Sequence, residues 1–504
     1  MSFTGTIFRY AAIFFIATFS IFQASAQTSS DEYERLYDFL SGYLKNDQEL
    51  LKRSLIAQSK QLSQKVASIE NGTALELTSG NVKITSRNGD TKIELEPKAE
   101  LSLPFLKDAK LNADIPIEIE DGEKRVSDGE LSAGIALISG ACASRHAKLL
   151  KAERARKEAE RAVKDRAIAA EKEFYTKLKK LYDYAISAID EKNDLYEDTF
   201  DLAEIAAKGY GKDSAKYSSA YMEVQADLLD TVQKMRRLER ETAIFARRCG
   251  FSYKITDLSD TSTIPELEGA LKSVLDFLPD AIPSVKALDA RSFPKDAYAQ
   301  KESALYSQKL GALERQADSS VTFRAVGLYT LNDSACESDT AGGGLSLAVR
   351  GLSAYAGVAL PTSTKLFPDT EPVSTDKSPV YTFSLALSPN DFRTEHLERK
   401  QHEINAELEN NAISSADDSY ENDVLEKELN LKDIEWAHRS YSRNYELYSA
   451  LERDMMSWRG AVKVSEFDYI EARDKCDIAA LNLLVNAAEY IIYNNETKLL
   501  FHAD

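Results

Sequence analysis

Residues 141–208 and 390–459 contain no glycine and no proline, although each stretch is nearly seventy positions long. Helices in globular proteins average three or four turns before a breaker or cap ends them, so ordinary small-domain architecture is excluded for both. Proline is confined as well. All twelve lie within 97–116, 265–294 or 361–389, as the lost backbone donor would demand if the two stretches are helices. Cysteine is scarce: Cys142, Cys249, Cys336 and Cys476 are far apart and none forms a CxxC pair. That pattern supplies no disulfide framework and reads as isolated packed thiols. The five histidines are His146, His396, His402, His438 and His502. The six-residue spacing of His396 and His402 does not put them on one helix face as ligands. There is no P-loop, GxGxxG, HExxH or GxSxG. No enzyme activity, cofactor or metal is therefore expected. Basic charge is in deficit, 63 Lys and Arg against 82 Asp and Glu, for a net charge of −19, which argues against nucleic acid as a partner.

Long apolar runs are missing too, with one exception at the N-terminus. Residues 1–26 read as a secretory signal peptide: Arg9, an apolar core from Ala11 to Phe22, and Ala24-Ser25-Ala26 as the small-x-small cleavage pattern before Gln27. The apolar core is too short for a bilayer span, which needs roughly 20 residues. No other run of that kind exists, so no membrane-spanning helix is expected after cleavage. The first cysteine is Cys142, so none is available near the cleavage site for lipid attachment.

What is present is a repeat. Each breaker-free stretch follows a short alternating apolar run, Gly134-Ile135-Ala136-Leu137-Ile138-Ser139 and Phe383-Ser384-Leu385-Ala386-Leu387-Ser388. Each is broken at its far end by glycine, at Gly209 and Gly211 in one case and at Gly460 in the other, and a second breaker-free stretch follows at 213–248 and 463–502. A shorter helical segment leads into the strands of each half, about 46–70 and 295–318. Within these, Ser63-Gln64-Lys65-Val66-Ala67-Ser68-Ile69-Glu70 aligns with Ser307-Gln308-Lys309-Leu310-Gly311-Ala312-Leu313-Glu314. The fold class is α+β, dominated by long helices, built from a duplicated strand-and-long-helical-hairpin unit. After the signal peptide, residues 27–250 form the first repeat, 251–293 an irregular connector marked by Pro265, Pro279 and Pro283, and 294–504 the second repeat.

Helical rise fixes how the pieces fit. At 1.5 Å per residue, a helix of about 67 residues spans roughly 100 Å. Each returning stretch covers about half of that, and a returning and a leading helix together match one long helix. The half-length helices are therefore expected to stack end to end beside the full-length ones, with the strands emerging at one end.

Between helices the apolar period changes from 3.6 to 2. Ile93-Glu94-Leu95-Glu96, Leu101-Ser102-Leu103 and Ile115-Pro116-Ile117-Glu118-Ile119-Glu120 alternate, punctuated by Asn88-Gly89-Asp90, Asp121-Gly122 and Asp128-Gly129. In the second half the strand-like segments are Val321 to Leu331, Leu345 to Leu360 and Val380 to Leu387, separated by the polar loops 332–340 and 361–379. A few strands with one apolar face and open edges can neither bury a core nor meet lipid alone. Either several chains share a transmembrane barrel, whose strands need about 10 alternating residues, or the strands form a small soluble sheet.

Taken together, these features resemble the TolC family of outer-membrane efflux proteins. The segments Asn46-Asp47-Gln48-Glu49-Leu50-Leu51 and Pro294-Lys295-Asp296-Ala297 are similar to that family's helix starts. Gly460, Ser465, Asp468-Tyr469-Ile470-Glu471-Ala472-Arg473 and Ala479-Ala480 resemble its C-terminal hairpin pattern; Gly209, Gly211, Ser214 and Gln225 are a weaker copy. The resemblance implies a homotrimer in which each chain gives four strands to a 12-stranded barrel in outer-membrane lipid, continued by a periplasmic helical tunnel. It implies an exit duct that carries export substrates from an inner-membrane transporter and its periplasmic adaptor protein. A pump-independent channel of the same build, or a periplasmic coiled-coil scaffold, are the alternatives. With no ATPase motif in the chain, any pump energy must come from a partner. Two departures stand out. Glu94, Glu96, Lys98 and Glu100 would have to face the lumen or lie outside the membrane. The hairpin turns carry Lys208, Lys212, Arg459 and Lys463 beside Asp213 and Asp468, which removes the basis for a simple cation preference.

The hairpin turns, at Gly209, Gly211 and Gly460, lie where a tapered tunnel would close. Tyr210, Trp458 and Tyr469 could pack there as a seal. Lys212, Arg459, Lys463, Asp213 and Asp468 could pair between neighbouring hairpins.

Overall fold

The structure is a computed structural model that describes residues 33–87, 90–103, 109–120, 123–126, 128–318, 321–331, 338–349, 352–362, 378–460 and 465–501. The expected signal peptide, Cys336, His502 and Lys463 lie outside these residues.

The long helices form where breakers are missing. Helix α1 spans Glu34–Lys45 and α2 Gln48–Glu70; after the first strands come α3, Ala141–Ala207, and α4, Ala215–Arg248. The second half repeats the order with α6, Ala299–Ala317, then strands, then α7, Pro389–Gly460, and α8, Glu466–Leu500. The two long helices hold 67 and 72 residues. Pro389 opens α7, in the first turn, where its missing N–H costs nothing. The returning helices start where serine can cap them. Ser214 accepts a hydrogen bond from the Tyr217 amide, and Ser465 with Asp468 forms a reciprocal capping box. Gly209, with φ at +85°, ends the α3 turn in the left-handed region that favours glycine.

The connector holds more regular structure than its prolines suggest. Helix α5, Ile264–Phe277, lies inside it. Pro265 sits in its first turn rather than breaking it, and the Glu266 carboxylate accepts the Thr263 amide at 2.8 Å. The rest of the connector is irregular but tied down, because buried backbone groups need partners. Asn494 of α8 donates to the Lys286 carbonyl and accepts from the Leu288 amide. Tyr182 donates to the Pro279 carbonyl at 2.7 Å, and the wholly buried Glu239 accepts the Thr256 amide.

The chain divides into two compact units. The first comprises the residues up to Arg53, Val163–Tyr298 and Tyr420 onward; the second comprises Ser54–Ala162 and Ala299–Ser419. The first unit owns the apolar core. Phe39 stacks on Phe245 and Phe251 and meets Phe277 edge-on, while Phe174 joins Tyr43 and Phe245. Leu267, Ala270, Leu271 and Val274 of α5 and Leu481, Val485, Ala488 and Ile491 of α8 complete it. A Cβ on Gly42 would collide with the Cys249 carbonyl, so α1 approaches the end of α4 as closely as only glycine allows. Among the described residues, α8 is the one helix long and apolar enough to cross a membrane. Its apolar side is spent on this core, and Asn486 on the same helix is buried and donates to the Ile434 carbonyl.

In the second unit, α3, α6 and α7 are held by charge rather than by an apolar core. Arg154 and Arg161 converge on Glu302, Arg315 grips Glu409 through two bonds of 2.9 Å, and Lys301 pairs with Asp417. Neither α2 nor α6 has a buried residue. Leu55, Leu62 and Ile69 on α2 stay exposed at heptad spacing, and Leu397, Ile404 and Leu408 on α7 stay exposed at intervals of seven and four, as a and d positions alternate.

The strands of this unit number twelve among the described residues, not the four that the resemblance implies. One antiparallel sheet has the order β1-β4-β5-β8-β9-β10-β11-β12; a second has the order β2-β3-β6-β7. The elements are β1 Ala74–Thr78, β2 Val82–Arg87, β3 Asp90–Leu95, β4 Lys98–Leu103, β5 Ala109–Asp114, β6 Ile117–Glu120, β7 Glu123–Val126, β8 Gly129–Ile138, β9 Val321–Leu331, β10 Thr340–Val349, β11 Leu352–Pro361 and β12 Val380–Leu387. The segment expected as one strand from Leu345 to Leu360 is thus a hairpin. The first eight strands are really four long ones, each kinked: β1 runs on to β2, β3 to β4, β5 to β6 and β7 to β8. Pro97 and Pro116 sit at two of the kinks, where a missing donor ends a ladder. Gly80, with φ at +60°, sits at a third. Asp128-Gly129 marks the fourth, not a chain reversal. Each half therefore contributes four strands to the eight-stranded sheet, and the small sheet is the distal continuation of the first four.

Candidate functional site

The eight-stranded sheet has two chemically opposite faces. Register aligns Leu75 with Leu101, Leu101 with Leu111, Leu111 with Ala133, and Ile135 with Ala325. It continues from Ala325 to Leu345, Ala356 and Phe383, and in the next rank from Phe323 to Leu347, Ala354 and Leu385. Successive side chains alternate faces, so one face is apolar from the first strand to the last. It is also uncovered: Leu77 is 71% exposed, Phe383 77% and Leu385 69%. The other face carries Glu76, Lys98, Glu100, Lys110, Asn112, Asp114, Glu130, Ser132, Arg324, Ser346 and Ser384. Its charges pair across strands, Lys98 with Asp114 at 2.7 Å and Lys110 with Glu100 at 2.6 Å. Tyr355 lies over Gly344 and Gly357 on this side, filling the space their missing side chains leave. Strands β8 to β11 are 10 or 11 residues long, the length of a bilayer-spanning strand.

Three of the four charges that looked misplaced for a lipid-facing segment are accommodated. Lys98 and Glu100 fall on the polar face. Glu94 lies in the small sheet, where Lys83 at 3.0 Å and Lys92 hold its carboxyl below the usual range. At its β2 edge the small sheet carries the exposed Lys83.

The hairpin turns lie in the first unit. Tyr210 is exposed and sits 5.1 Å from the Lys216 ammonium, ring face towards it. Gly209 and Gly211 have open space around them; Lys212 and Asp213 are exposed. In the second hairpin, Arg459 bridges its own turn to Glu466 at 2.6 Å and stacks over Tyr469 at 4.6 Å. Asp468 is committed to the cap, accepting from the Ser465 hydroxyl at 2.6 Å and from its amide. Trp458 is exposed and Gly460 ends α7. Phe200 and Phe467, not anticipated from sequence, stack at 5.8 Å between the long and returning helices.

Further from the turns lies a buried charge network that sequence reasoning missed. Lys192 of α3, nearly inaccessible, contacts Asp474 of α8 at 2.5 Å and Glu268 of α5 at 3.7 Å. Arg473 joins Glu268 at 3.2 Å and Asp474 at 3.0 Å. Asp227 of α4 is pushed up to about 6 by burial and by hydrogen bonding and repulsion from Asp198, with Asp194 and Glu191 adding to it. Burial raises the Cys249 thiol to about 12 and the Cys476 thiol to about 11, so both are inert packing groups. His438 hydrogen-bonds Asn486 at 2.9 Å. Among the described residues no group of His, Cys, Asp and Glu could hold a metal ion.

The chain matches the TP096X N-terminal domain over residues 39–281 and the TP096X C-terminal domain over residues 283–504. The two matches meet inside the connector. No curated protein matches it by sequence. Among solved structures it is similar to CusC, at 11% identity and a TM-score of 0.44 over 95% of this chain and 96% of that one. It is similar to the MtrE outer-membrane channel of Neisseria gonorrhoeae, at 12% identity and a TM-score of 0.44 over 93% and 89%. The outer-membrane protein VceC of Vibrio cholerae gives 9% identity and a TM-score of 0.40 over 93% and 95%.

Proposed function

We propose that this chain is one subunit of an outer-membrane channel, an exit duct that passes export substrates to the exterior. The observation that carries this reading is the eight-stranded sheet with one continuous apolar face and one charged face. A soluble sheet buries its apolar face against a second layer; this one leaves it uncovered, and its strands β8 to β11 have bilayer-spanning length. A membrane barrel needs that pattern, with lipid against the apolar side and water against the other. The exposed heptad stripes on α2 and α7 call for helices from further copies, which supports a homo-oligomer, a trimer by the family resemblance. An inner-membrane transporter with a periplasmic adaptor would supply the energy that the chain has no motif to provide.

The test is a pair of neighbouring substitutions. Leu345→Arg places a charge on the apolar face and is expected to cost about 2–4 kcal/mol near mid-membrane. Ser346→Arg places the same charge on the polar face, beside Arg324, and is expected to assemble. Heat-modifiable, detergent-extracted protein from outer membranes is the readout. Equal assembly of the two variants would overturn the reading.

A further inference from the structure

We propose that β1 of one copy pairs antiparallel with β12 of the next, so that each copy gives eight strands to a common barrel rather than four. The proposal rests on the channel reading above.

Four observations converge on it. Among the described residues the sheet is open, with β1 and β12 at its two ends. Every neighbouring pair within it is antiparallel, and eight is even. The last strand of one copy therefore runs opposite to the first strand of another, and the antiparallel ladder continues through the junction. The faces also agree: Leu75 and Leu77 on β1 and Tyr381, Phe383, Leu385 and Leu387 on β12 all lie on the apolar side, while Glu76, Thr382, Ser384 and Ala386 lie on the other. Joining the edges leaves the lipid-facing band unbroken. Finally, both edges are unguarded. All five residues of β1 and all eight of β12 are exposed, and neither strand contains lysine, arginine or proline. Natural edges that must stay unpaired carry such residues or a bulge, as the β2 edge of the small sheet carries the exposed Lys83. An unpaired edge in hydrocarbon costs several kcal/mol per group, so β1 and β12 need partners on the sides where the described residues supply none.

Closure within one copy is the competing outcome. An eight-stranded barrel has an interior only wide enough for side chains, and it would leave the stripes on α2 and α7 uncovered. With a strand spacing of ~4.8 Å and a tilt of ~40°, three copies and 24 strands give a barrel about 48 Å across between backbones, against about 24 Å for 12 strands. The membrane section would then be wide, and any constriction would lie elsewhere.

Disulfide trapping tests this. In a background with Cys142→Ser and Cys336→Ser, cysteines are introduced pairwise on the polar face, Glu76→Cys or Thr78→Cys with Thr382→Cys, Ser384→Cys or Ala386→Cys. Asn112→Cys with Ser132→Cys, neighbours on β5 and β8, serves as an internal control. Outer membranes are oxidised and the chains separated after full denaturation without reductant. The expected result is a ladder of linked chains from at least one β1–β12 pair, ending at the copy number given by the mass of the extracted assembly. A disulfide confined to single chains would show that the sheet closes on itself. No disulfide from any pair, with the control linked and the protein in the membrane, would show that the edges do not meet. Loss of even the control protein from the outer membrane would instead overturn the channel reading.

Discussion

The network around Lys192 predicts an order of effects, not just a loss. Lys192 and Asp474 are 3% and 2% exposed at their side chains and 2.5 Å apart. Removing one member of a buried ion pair costs about 3–5 kcal/mol, because the other is left charged and unpaired. The two removals are not equivalent here. Without Asp474, Lys192 keeps Glu268, at 3.7 Å and one-third exposed, and the face of the Tyr196 ring at 6.0 Å. Without Lys192, Asp474 keeps Arg473 at 3.0 Å. Asp474→Leu should therefore lie at the upper end, about 4–5 kcal/mol, and Lys192→Met at the lower end, about 3 kcal/mol. The double variant should recover most of the loss, since well-packed apolar residues replace such pairs with little penalty. Urea unfolding of the detergent-extracted full chain, followed by far-ultraviolet circular dichroism, gives the midpoints, and an unchanged slope shows that the same structure unfolds. The reasoning fails if Lys192→Met costs as much as Asp474→Leu, or if the double variant is as unstable as the worse single one.

Asp227 links stability to pH. Its carboxyl is raised to about 6 in the folded chain against about 3.9 when unfolded, so the folded state holds the extra proton between those values. That stabilisation is present at low pH and lost as pH rises through 6. Asp227→Asn should raise the melting temperature at pH 7.5 and flatten its dependence between pH 4.5 and 6.5; a steeper dependence would refute the assignment. Deleting residues 480–504 should abolish assembly, because Leu481, Val485, Ala488 and Ile491 belong to the core of the first unit, and normal oligomer yield would contradict that. Reversing Arg459 and Lys463 together to glutamate sets a like charge at 459 against Glu466, which Arg459 now bridges. Single-channel conductance in planar bilayers should rise; unchanged conductance with intact oligomers would place the closure elsewhere.

The helices were legible because their signal is subtractive. A stretch without glycine or proline has no local means of stopping, and α3 and α7 run to within a residue or so of the expected limits. Caps corrected the starts of the returning helices by two or three residues, since Ser214 and Ser465 bind the first turns of α4 and α8. The strands were harder because the same residues serve different ends. Gly342-Gly343-Gly344 looks like loop, yet it is the middle of β10, supported from the next strand by Tyr355, which no window along β10 contains. Asp128-Gly129 looks like a reversal, yet the chain passes through it from β7 to β8 in one direction.

Alternation shows which face a residue takes but not how many strands share that face, and the count of four drawn from the family resemblance was therefore the weakest expectation. The buried charges were invisible for a related reason. Lys192, Glu268 and Asp474 come from three helices far apart in sequence, and each alone looks like one more charge on a solvated surface. Only packing decides that Lys192 is inside. The hairpin candidates show the converse limit. Arg459 and Asp468 were read as available to a neighbouring hairpin, but local chemistry reaches them first, through Glu466 and the Ser465 cap. A gate built from these turns would therefore have to break intrachain bonds before forming interchain ones. That favours the exposed Lys212, Asp213 and Trp458 over Tyr210, whose ring already faces Lys216, as the side chains to meet a symmetry mate.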